Sequence, residues 1–553
     1  MVSSEHVRTG TPVVQGVAFG PVVRPAPGID LSDLPGPRTD ADTEKQRYAD
    51  AVTAVSERLR ARAQASTGVA AEVLLAQVAL VGDKGLRKGA AKLIDGGASA
   101  EQAMDGATGQ FIEMFTKLGG LMAERTTDLC DLRSRVIAEL LGQPEPGVPV
   151  PDVPSVLMAD DLAPADTAVL DPATTIALVT RLGGPTSHTA IIARQLGIPC
   201  IVAAPIADIA AGTVVLVDGG GGTITIDPDP AAARALIESD RTTRAAAAAF
   251  TGPGATLDGH PVQILANVQD GPSAETARQG AAEGVGLFRS ELAFLGRDDE
   301  PTVEQQSDVY AAVLRAYADR KVIIRTLDAG SDKPMKFANL THEDNPALGV
   351  RGSRLAVANP GLMTRQLDAI ALAADRESQS PWVMAPMIAT AAEAEAFAAQ
   401  VRERSLTPGV MVEIPSAALQ AREILQHVDF LSIGTNDLSQ YTMAADRLSA
   451  DLAELTDPWQ PAVLRLIAMT ADAGADAGKP VGVCGEAAAD ALLACVLVGL
   501  GISSLSMAAS AVGTVGAAVA GVTLAQCRSA AEVALAASSP AAARAKAAAV
   551  LGR

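Results

Sequence analysis

The stretch VMVEIPSAALQAREILQHVDFLSIG, residues 410–434, decides the fold of the second half of this chain. It holds two short apolar runs, 410–414 and 430–434, separated by a longer run with helical spacing. Six more runs of this kind, with helical patterns between them, lie at 262–267, 284–289, 322–326, 382–386, 481–484 and 502–507. Eight such strand–helix units predict a (β/α)8 barrel over 256–553, and a doubly wound sheet is the alternative topology.

The first half of the chain predicts a smaller α/β domain that is interrupted by helices. Strand-like runs lie at 11–23, 155–159, 175–179, 199–203 and, as a hairpin, 212–227. Residues 40–141 have helical spacing instead, and a Pro- and Gly-rich linker follows them. The predicted division is an α/β domain from 1–25 and 144–228, an inserted helical subdomain at 26–143 and a linker helix within 229–255. The whole chain is therefore expected to be of the α/β class.

Composition and charge argue against several classes of function. The net charge is −20 and aromatic residues make up 3%, so the surface repels nucleic acid and offers few rings for base stacking. The five cysteines include no C-x-x-C pair, which argues against a zinc site or a disulfide framework. The apolar run Ala491–Ile502 is too short to cross a membrane, and the first residues lack the apolar core of a signal peptide. We expect no membrane association and a cytoplasmic location.

Charged and polar residues accumulate where the predicted barrel strands end. They are Asn267, Arg289, Arg325, Glu413, Asn436, Asp437, Cys484 and Ser506. In a parallel barrel these ends share one face, and active sites are built on that face. Two arginines can bind a phosphate or carboxylate dianion, and two carboxylates beside a phosphate favour Mg²⁺, which takes hard oxygen ligands. A set of surface salt bridges is the alternative interpretation.

A long loop, about 327–381, follows the third predicted barrel strand. It carries Lys333, Asn345, Arg351 and Arg354. Loops of this length in a compact domain are usually functional. Taken singly, each of these residues could instead be a solvated or structural residue, so the pattern leaves their roles open.

The motif GGPTSHTAIIARQLGIP, residues 183–199, places His188 where a glycine pair gives way to helical spacing. Hydroxyl side chains flank this histidine on both sides. Unpaired N–H groups and the helix dipole at a helix N-terminus favour an anion, and an imidazole there can carry a phosphoryl group as a covalent intermediate. A core or capping histidine is the alternative, but the glycines and hydroxyls favour the functional interpretation. The other four histidines have no such surroundings.

These motifs together resemble enzyme I of the bacterial phosphoenolpyruvate:sugar phosphotransferase system, from about residue 10 to about 507. GGPTSHTAI around His188 resembles the phosphohistidine signature of that family. The matching barrel motifs are LFRSELAFL (287–295), IIRTLDAGSDKP (323–334), NPALGVRGSR (345–354), VMVEIPSAAL (410–419), SIGTNDLSQYTMAADR (432–447) and GVCGEAA (482–488). The resemblance implies a swivelling phosphohistidine domain with an inserted helical subdomain, followed by a TIM barrel that binds phosphoenolpyruvate.

The resemblance also implies the chemistry of transfer. His188 would accept the phosphoryl group on Nε2, with Thr167 orienting the ring. Cys484 would protonate C3 of the enolate to give pyruvate. The helical subdomain would dock the phosphocarrier protein HPr, and the protein would be a homodimer joined through its barrels.

Further matching positions imply a substrate and metal site. The implied phosphoenolpyruvate-binding residues are Arg289, Arg325, Arg447, Asn436 and Asp437. Glu413 and Asp437 would bind Mg²⁺, and Lys333 and Arg351 would support the site.

Some positions depart from the family pattern, and two rival functions share parts of it. Pro185 stands where many members have Arg, Ser331 replaces an expected Gly, and the match weakens after Met507. Pyruvate phosphate dikinases and phosphoenolpyruvate synthases also need an ATP-binding domain, for which the residues before His188 are expected to leave no room. A regulatory protein with an inactive barrel would have lost a catalytic residue, whereas all are present here.

Overall fold

A computed structural model describes residues 6–553 of the chain with gaps. The gaps are 26–28, 30, 66–68, 119–125, 144–145, 149–150, 152, 163–169, 185–186, 295–296, 331–336, 338–342, 448, 450–451 and 453. The chain forms two compact units, Met1–Arg241 and Thr242–Arg553. The helix Pro230–Ala249 spans the boundary between them.

The first unit contains one eight-stranded mixed sheet. Its strands are β1 (Val7–Thr9), β2 (Thr11–Val14), β3 (Val17–Val23), β4 (Ser155–Ala159), β5 (Thr175–Thr180), β6 (Cys200–Val202), β7 (Val214–Asp218) and β8 (Thr223–Ile226). Their order is β1-β8-β7-β3-β4-β5-β6-β2, with β3 to β6 parallel and the β7–β8 hairpin antiparallel. Each strand-like run predicted in this half contains a strand, whereas β1 had not been predicted.

Helices fill the connection between the neighbouring parallel strands β3 and β4. They are Ala41–Ala65, Val69–Val81, Lys84–Asp95, Ala100–Leu118 and Thr126–Leu141, and they bury a hydrophobic core of their own. Helix Lys84–Asp95 lies inside the predicted helical region 40–141, although no separate helical run was recognised at these residues. Its apolar residues Leu86, Ala90 and Ile94 recur every four positions and are buried, and Asp83 caps its start by accepting from two backbone N–H groups. The lysines and glycines between those positions obscured the pattern.

Eight parallel strands close the barrel of the second unit. They are β9 (Gln263–Val268), β10 (Val285–Arg289), β11 (Val322–Arg325), β12 (Trp382–Ala385), β13 (Thr407–Val412), β14 (Phe430–Ile433), β15 (Val481–Val483) and β16 (Ser504–Met507). Each pairs with the next, and β16 returns to β9, so the prediction of a barrel is confirmed and the doubly wound sheet is excluded. The α/β fold class is likewise confirmed.

One strand begins earlier than its sequence pattern predicts. β13 starts at Thr407, ahead of the apolar run at 410, because Pro408 and Gly409 also pair with β12. A Cβ on Gly409 would lie 2.2 Å from the ring of Phe430, so only glycine permits this close approach.

Helices surround the barrel and complete its core. They are Gly271–Gln279, Val303–Ala316, Leu355–Ala358, Pro360–Glu377, Ala391–Arg402, Pro415–Leu419, Ala421–Ile424, Thr435–Met443, Pro461–Ala477, Ala491–Gly499, Val512–Ala520, Leu524–Leu535 and Pro540–Leu551. The last three occupy the alanine-rich region after Met507 and bury side chains such as Val515, Val519 and Ala530 against the barrel core.

Within the described part of the chain, no single helix is long and apolar enough to cross a membrane. Ala509–Ala520 and Leu524–Leu535 reach the required length only as a pair, and they meet at a bend of 104°.

Candidate active site

A cavity of about 340 Å³ opens at the carboxyl-terminal end of the barrel strands. Eight residues predicted for the site line it: Arg289, Arg325, Arg351, Glu413, Asn436, Asp437, Arg447 and Cys484. The fold therefore brings together residues that are spread over almost 200 positions of sequence (289 to 484). Asn267 and Ser506 lie just behind them, because Ser506 donates to Asn267 Oδ1 at 2.6 Å and Asn267 donates to the Cys484 carbonyl at 3.1 Å.

Arg325 is held by carboxylates at the base of this cavity. Its guanidinium pairs with Glu291 and, at 3.0 Å, with Asp328 Oδ2. Burial opposes the charged form, but these two carboxylates raise the pKa of Arg325 further above its usual value. Among the described residues, its buried Nε has no hydrogen-bond partner. A buried donor of this kind is costly unless a ligand accepts from it.

Arg351 bridges two carboxylates that line the cavity, those of Asp328 and Asp437. Its Nε and Nη2 each donate to Asp328 at 3.0 Å, and Nη1 and Nη2 donate to Asp437 at 3.1 and 3.2 Å. The side chain is 2% exposed, so both bidentate pairs are screened from water. Arg351 therefore fixes the positions of Asp328 and Asp437, and its surroundings favour a structural support of the site.

Glu413 is a buried carboxyl group whose negative charge the cavity disfavours. It directly follows β13, is almost completely buried and accepts from the Met387 N–H at 2.6 Å. Burial, followed by the negative charges of Asp328 and Asp437, raises the pKa of Glu413 to about 8. A cation beside it would relieve this repulsion and restore the carboxylate.

The Cys484 thiol lies at the end of β15 and is almost fully buried. Burial raises the pKa of the thiol to about 11, despite the opposing effects of the Ser432 hydroxyl and Arg325. At neutral pH the sulfur therefore keeps its proton. Such a thiol can act as an acid and is a poor nucleophile.

Arg289 and Arg447 differ from the buried arginines, because neither has a carboxylate within 4 Å among the described residues. Arg289 ends β10 and Arg447 follows helix Thr435–Met443, and both line the cavity from exposed positions. Two uncompensated guanidinium groups at one opening form a site for a small dianion.

Asn436 and Asp437 stand in the first turn of helix Thr435–Met443. Asn436 Oδ1 accepts from the Glu486 N–H at 2.9 Å, which ties this turn to the loop after Cys484. A Cβ on Gly485 would lie 2.0 Å from Thr435 Oγ1, so only glycine at this position lets the loop pass so close to the helix. Helix Thr435–Met443 and the Cys484 loop thus form one rigid wall.

The predicted histidine lies in the first unit. His188 is the first residue of helix His188–Leu196, and the Ser187 hydroxyl caps the helix by accepting from the Ala190 N–H at 3.3 Å. Gly183 has a φ of +88°, which suits glycine. Thr167, Lys333, Pro185 and Ser331 lie outside the described residues.

Sequence reasoning missed three residues that contact the buried arginines of the barrel cavity. Glu291 and Asp328 compensate Arg325, and the Tyr441 hydroxyl lies 3.5 Å from Arg351 Nη1. Glu291 and Asp328 each come two or three positions after an arginine that ends a strand. Extending the search for strand-end residues by that distance would have found both.

Glu413 and Asp437 are two carboxylates of the cavity that could bind a metal ion. Over the described residues, no group of three or more His, Cys, Asp or Glu side chains is arranged to hold a metal. Mg²⁺ commonly takes only one or two carboxylates and completes its shell with water and substrate phosphate oxygens. The raised pKa of Glu413 and the carboxylate oxygens of Asp437 fit such an ion.

The fold and this cavity together define a barrel enzyme for a small, strongly anionic substrate. Family models described as PEP-utilising enzyme match in three parts: the N-terminal part at residues 9–125, the mobile domain at 151–222 and the PEP-binding domain at 244–524.

Curated relatives extend this match over the whole chain. A phosphoenolpyruvate-protein phosphotransferase from Streptomyces coelicolor is 48% identical over 99% of both chains, and one from Haloferax volcanii is 36% identical over 96% of both. A solved enzyme I structure with 25% identity covers 43% of this chain with a TM-score of 0.37, which is too low to bear on the fold. The chain belongs to the phosphoenolpyruvate-protein phosphotransferases, the enzyme I family.

Proposed function

We propose that this enzyme transfers the phosphoryl group of phosphoenolpyruvate to its own His188 and then to a histidine of HPr, releasing pyruvate as the first step of sugar uptake. The single observation that carries this proposal is the composition of the barrel cavity. Two uncompensated arginines, a carboxylate pair and a protonated thiol line the same 340 Å³ space. These are the parts needed to hold a phosphorylated carboxylic acid, neutralise its charge and protonate an enolate.

The arginines bind and orient the substrate in this proposal. Arg289 and Arg447 bind its phosphoryl and carboxylate oxygens from the opening, and the free Nε of Arg325 donates from the base. Asn436 and the backbone at Asp437 seat the substrate against the rigid wall. Because phosphoryl transfer depends mainly on positioning and charge neutralisation, these contacts supply most of the catalysis.

Glu413 and Asp437 would hold Mg²⁺, with Arg351 keeping Asp437 in place. When bound, the ion supplies positive charge to the phosphoryl oxygens. Lys333, which lies outside the described residues, is proposed as a further support.

The reaction moves the phosphoryl group to His188 and a proton from Cys484 to the enolate. The bond between phosphorus and the enol oxygen breaks as the His188 nitrogen bonds to phosphorus, with Thr167 orienting the ring. The enolate then takes a proton at C3 from the Cys484 thiol and becomes pyruvate. The thiolate regains its proton from solvent. A thiol whose pKa is about 11 stays protonated until the enolate, a much stronger base, forms.

A labelling experiment tests this function. Incubation with phosphoenolpyruvate labelled on phosphorus, in the presence of Mg²⁺, should give an acid-labile and base-stable label on the protein. His188→Ala should abolish the label and leave the circular dichroism spectrum unchanged. Persistence of acid-labile label in that variant would remove His188 from the mechanism.

The division of labour between domains is a further part of this proposal. A phosphohistidine domain (1–25 and 144–228) would carry phosphate between the barrel (256–553) and HPr docked on the helical subdomain (26–143), with 229–255 as the linker. The homodimer through the barrels remains a prediction from the resemblance, and the cytoplasmic location remains a prediction from the sequence.

Two fragments separate these roles. Fragment 1–250 keeps the sheet and the helical core of the first unit, so it should exchange phosphate with phospho-HPr. It should take none from phosphoenolpyruvate, and fragment 256–553 should bind phosphoenolpyruvate without becoming phosphorylated. Label on fragment 1–250 from phosphoenolpyruvate alone would show that the barrel is not the donor site.

A further inference from the structure

A second cavity, of about 530 Å³, opens at the opposite end of the barrel from the active site. It lies beside the starts of β9, β10 and β11, where Gln263, Glu283 and Lys321 line it. The amino-terminal end of such barrels ordinarily serves stability alone. The charged side chains that line this cavity indicate a role beyond stability.

Lys321 is the central group of the cavity. Its Nζ lies 3.7 Å from the ring centroid of Trp382 and 3.3 Å from Gln263 Oε1. The same side chain also lines the small internal space that reaches Phe430 inside the barrel. Lys321 therefore stands between the open cavity and an apolar interior. Burial there lowers the pKa of its ammonium to about 8, so a substantial fraction is the nucleophilic amine near neutral pH.

Two arginines stand on the wall beside this lysine. Arg278 and Arg320 line the cavity, and each uses one guanidinium nitrogen on a backbone carbonyl, that of Ala316 and that of Ala282. Within the described chain their other nitrogens have no partner, so they can bind an anion. Glu283 and Asp319 are the other charged lining residues, and Glu283 Oε2 accepts from the N–H groups of Gly254 and Ile264.

We propose that Lys321 is an acylation site for small acyl phosphates, whose phosphate binds between Arg278 and Arg320. A phosphate held there brings the adjacent carbonyl carbon to the lysine. Nζ bonds to that carbon, the bond from the carbonyl carbon to the phosphate oxygen breaks, and inorganic phosphate leaves with the proton of the amine. The product is a neutral amide, which removes the cation–π contact with Trp382.

The test uses the full-length protein and acetyl phosphate, with modification at each lysine measured over time by peptide mass spectrometry. Two lysines of the same unit are internal controls: Lys546, which is exposed, and Lys479, which is half-buried like Lys321 and donates to the carbonyls of Leu425 and Val428. At pH 7.5 a lysine with a pKa of about 8 is roughly one quarter neutral, against about one thousandth for an ordinary lysine. Lys321 should therefore react at least about tenfold faster than either control.

Variants separate anion binding from simple nucleophilicity. Arg278→Gln with Arg320→Gln should slow the acylation of Lys321 by acetyl phosphate about tenfold or more, as expected for the loss of one hydrogen bond to a charged group. It should leave Lys546 unchanged, and it should not slow Lys321 with an uncharged acetyl ester. Lys321→Arg should remove the modified peptide. Reaction of Lys321 no faster than Lys546, or an unchanged rate in the double arginine variant, would overturn the proposal.

Discussion

The barrel cavity and the helical block of the first unit both bury carboxylates beside arginines, and they treat those carboxylates in opposite ways. Glu44, buried in the block, accepts from the backbone N–H groups of Ala100 and Arg38 and pairs with Arg47 at 2.6 Å. Burial alone would raise its pKa, but these partners hold the pKa of Glu44 at about 2.

At the barrel cavity the balance is reversed. Glu413 has one backbone partner and faces Asp328 and Asp437, so its pKa is raised to about 8. A buried carboxylate with its partners in the fold stabilises the protein, whereas one left among like charges stores a repulsion that a cation or substrate can relieve. We therefore expect substitution of Glu44 to lower stability and substitution of Glu413 to lower activity.

The largest effect is expected for Glu413→Gln. Glutamine resembles the neutral acid and keeps the hydrogen bond from Met387, but it is a poor ligand for Mg²⁺. The rate of phosphorylation by phosphoenolpyruvate should fall about a thousandfold, roughly 4 kcal/mol in the barrier, without a lower free energy of unfolding. Trp382 and Trp459, both in the barrel unit, are the only tryptophans, so their fluorescence in urea reports the stability of this unit. Glu423→Gln, at an exposed position of the same unit, is the control. A large loss of barrel stability in Glu413→Gln would contradict the conclusion that the charge of Glu413 serves activity and not stability.

Cys484→Ala should have the next largest effect. Pyruvate formation should slow about a hundredfold, because the enolate loses its proton donor. Acceptance of phosphate from phospho-HPr should remain normal, since that partial reaction contains no enolate. Cys495→Ala, which removes a buried thiol from helix Ala491–Gly499, should leave both rates unchanged. Normal pyruvate release by Cys484→Ala would exclude the donor role.

Glu44→Gln should lower the stability of the helical block by about 2 kcal/mol, because the buried hydrogen-bond network loses the negative charge that balances Arg47. Hydrogen exchange in helix Ala100–Leu118 should accelerate, while tryptophan fluorescence in urea stays unchanged. Glu113→Gln, which breaks only an exposed pair with Lys117, should shift stability by less than about 0.5 kcal/mol. Equal effects of the two substitutions would mean that burial of Glu44 contributes nothing.

The smallest effect is expected in the acid dependence of the block. The pKa of Glu44 is lowered by folding, so its contribution to stability is complete above about pH 4.5 and is lost as the pH falls towards 2. As the pH falls over this interval, the protection factors of the backbone amides in the block should therefore decrease more steeply in the native protein than in Glu44→Gln. Amide protection that changes with pH in the same way in both proteins would contradict the assignment of Glu44 as the titrating group.

The order of strands and helices was largely readable from the sequence. All eight barrel strands fall within or beside the runs predicted, because apolar spacing and β-branched residues act over a few neighbouring positions. The strand-end residues Arg289, Arg325 and Cys484 were found for the same reason, since in a parallel barrel those ends share one face. Strand β1 was not predicted, and Lys84–Asp95 was not recognised as a separate helix, because their patterns were short or interrupted.

The partners of the charged residues could be known only from the tertiary structure. The sequence places Arg289 and Arg325 at strand ends and Arg351 in a long loop, but it does not show which carboxylates each one meets. The fold pairs Arg325 with Glu291, places Arg351 between Asp328 and an Asp437 that is 86 positions away, and leaves Arg289 without a carboxylate among the described residues. Local patterns are fixed by neighbours along the chain, whereas Coulomb interactions and desolvation depend on distances across space, which exist only after the barrel has closed.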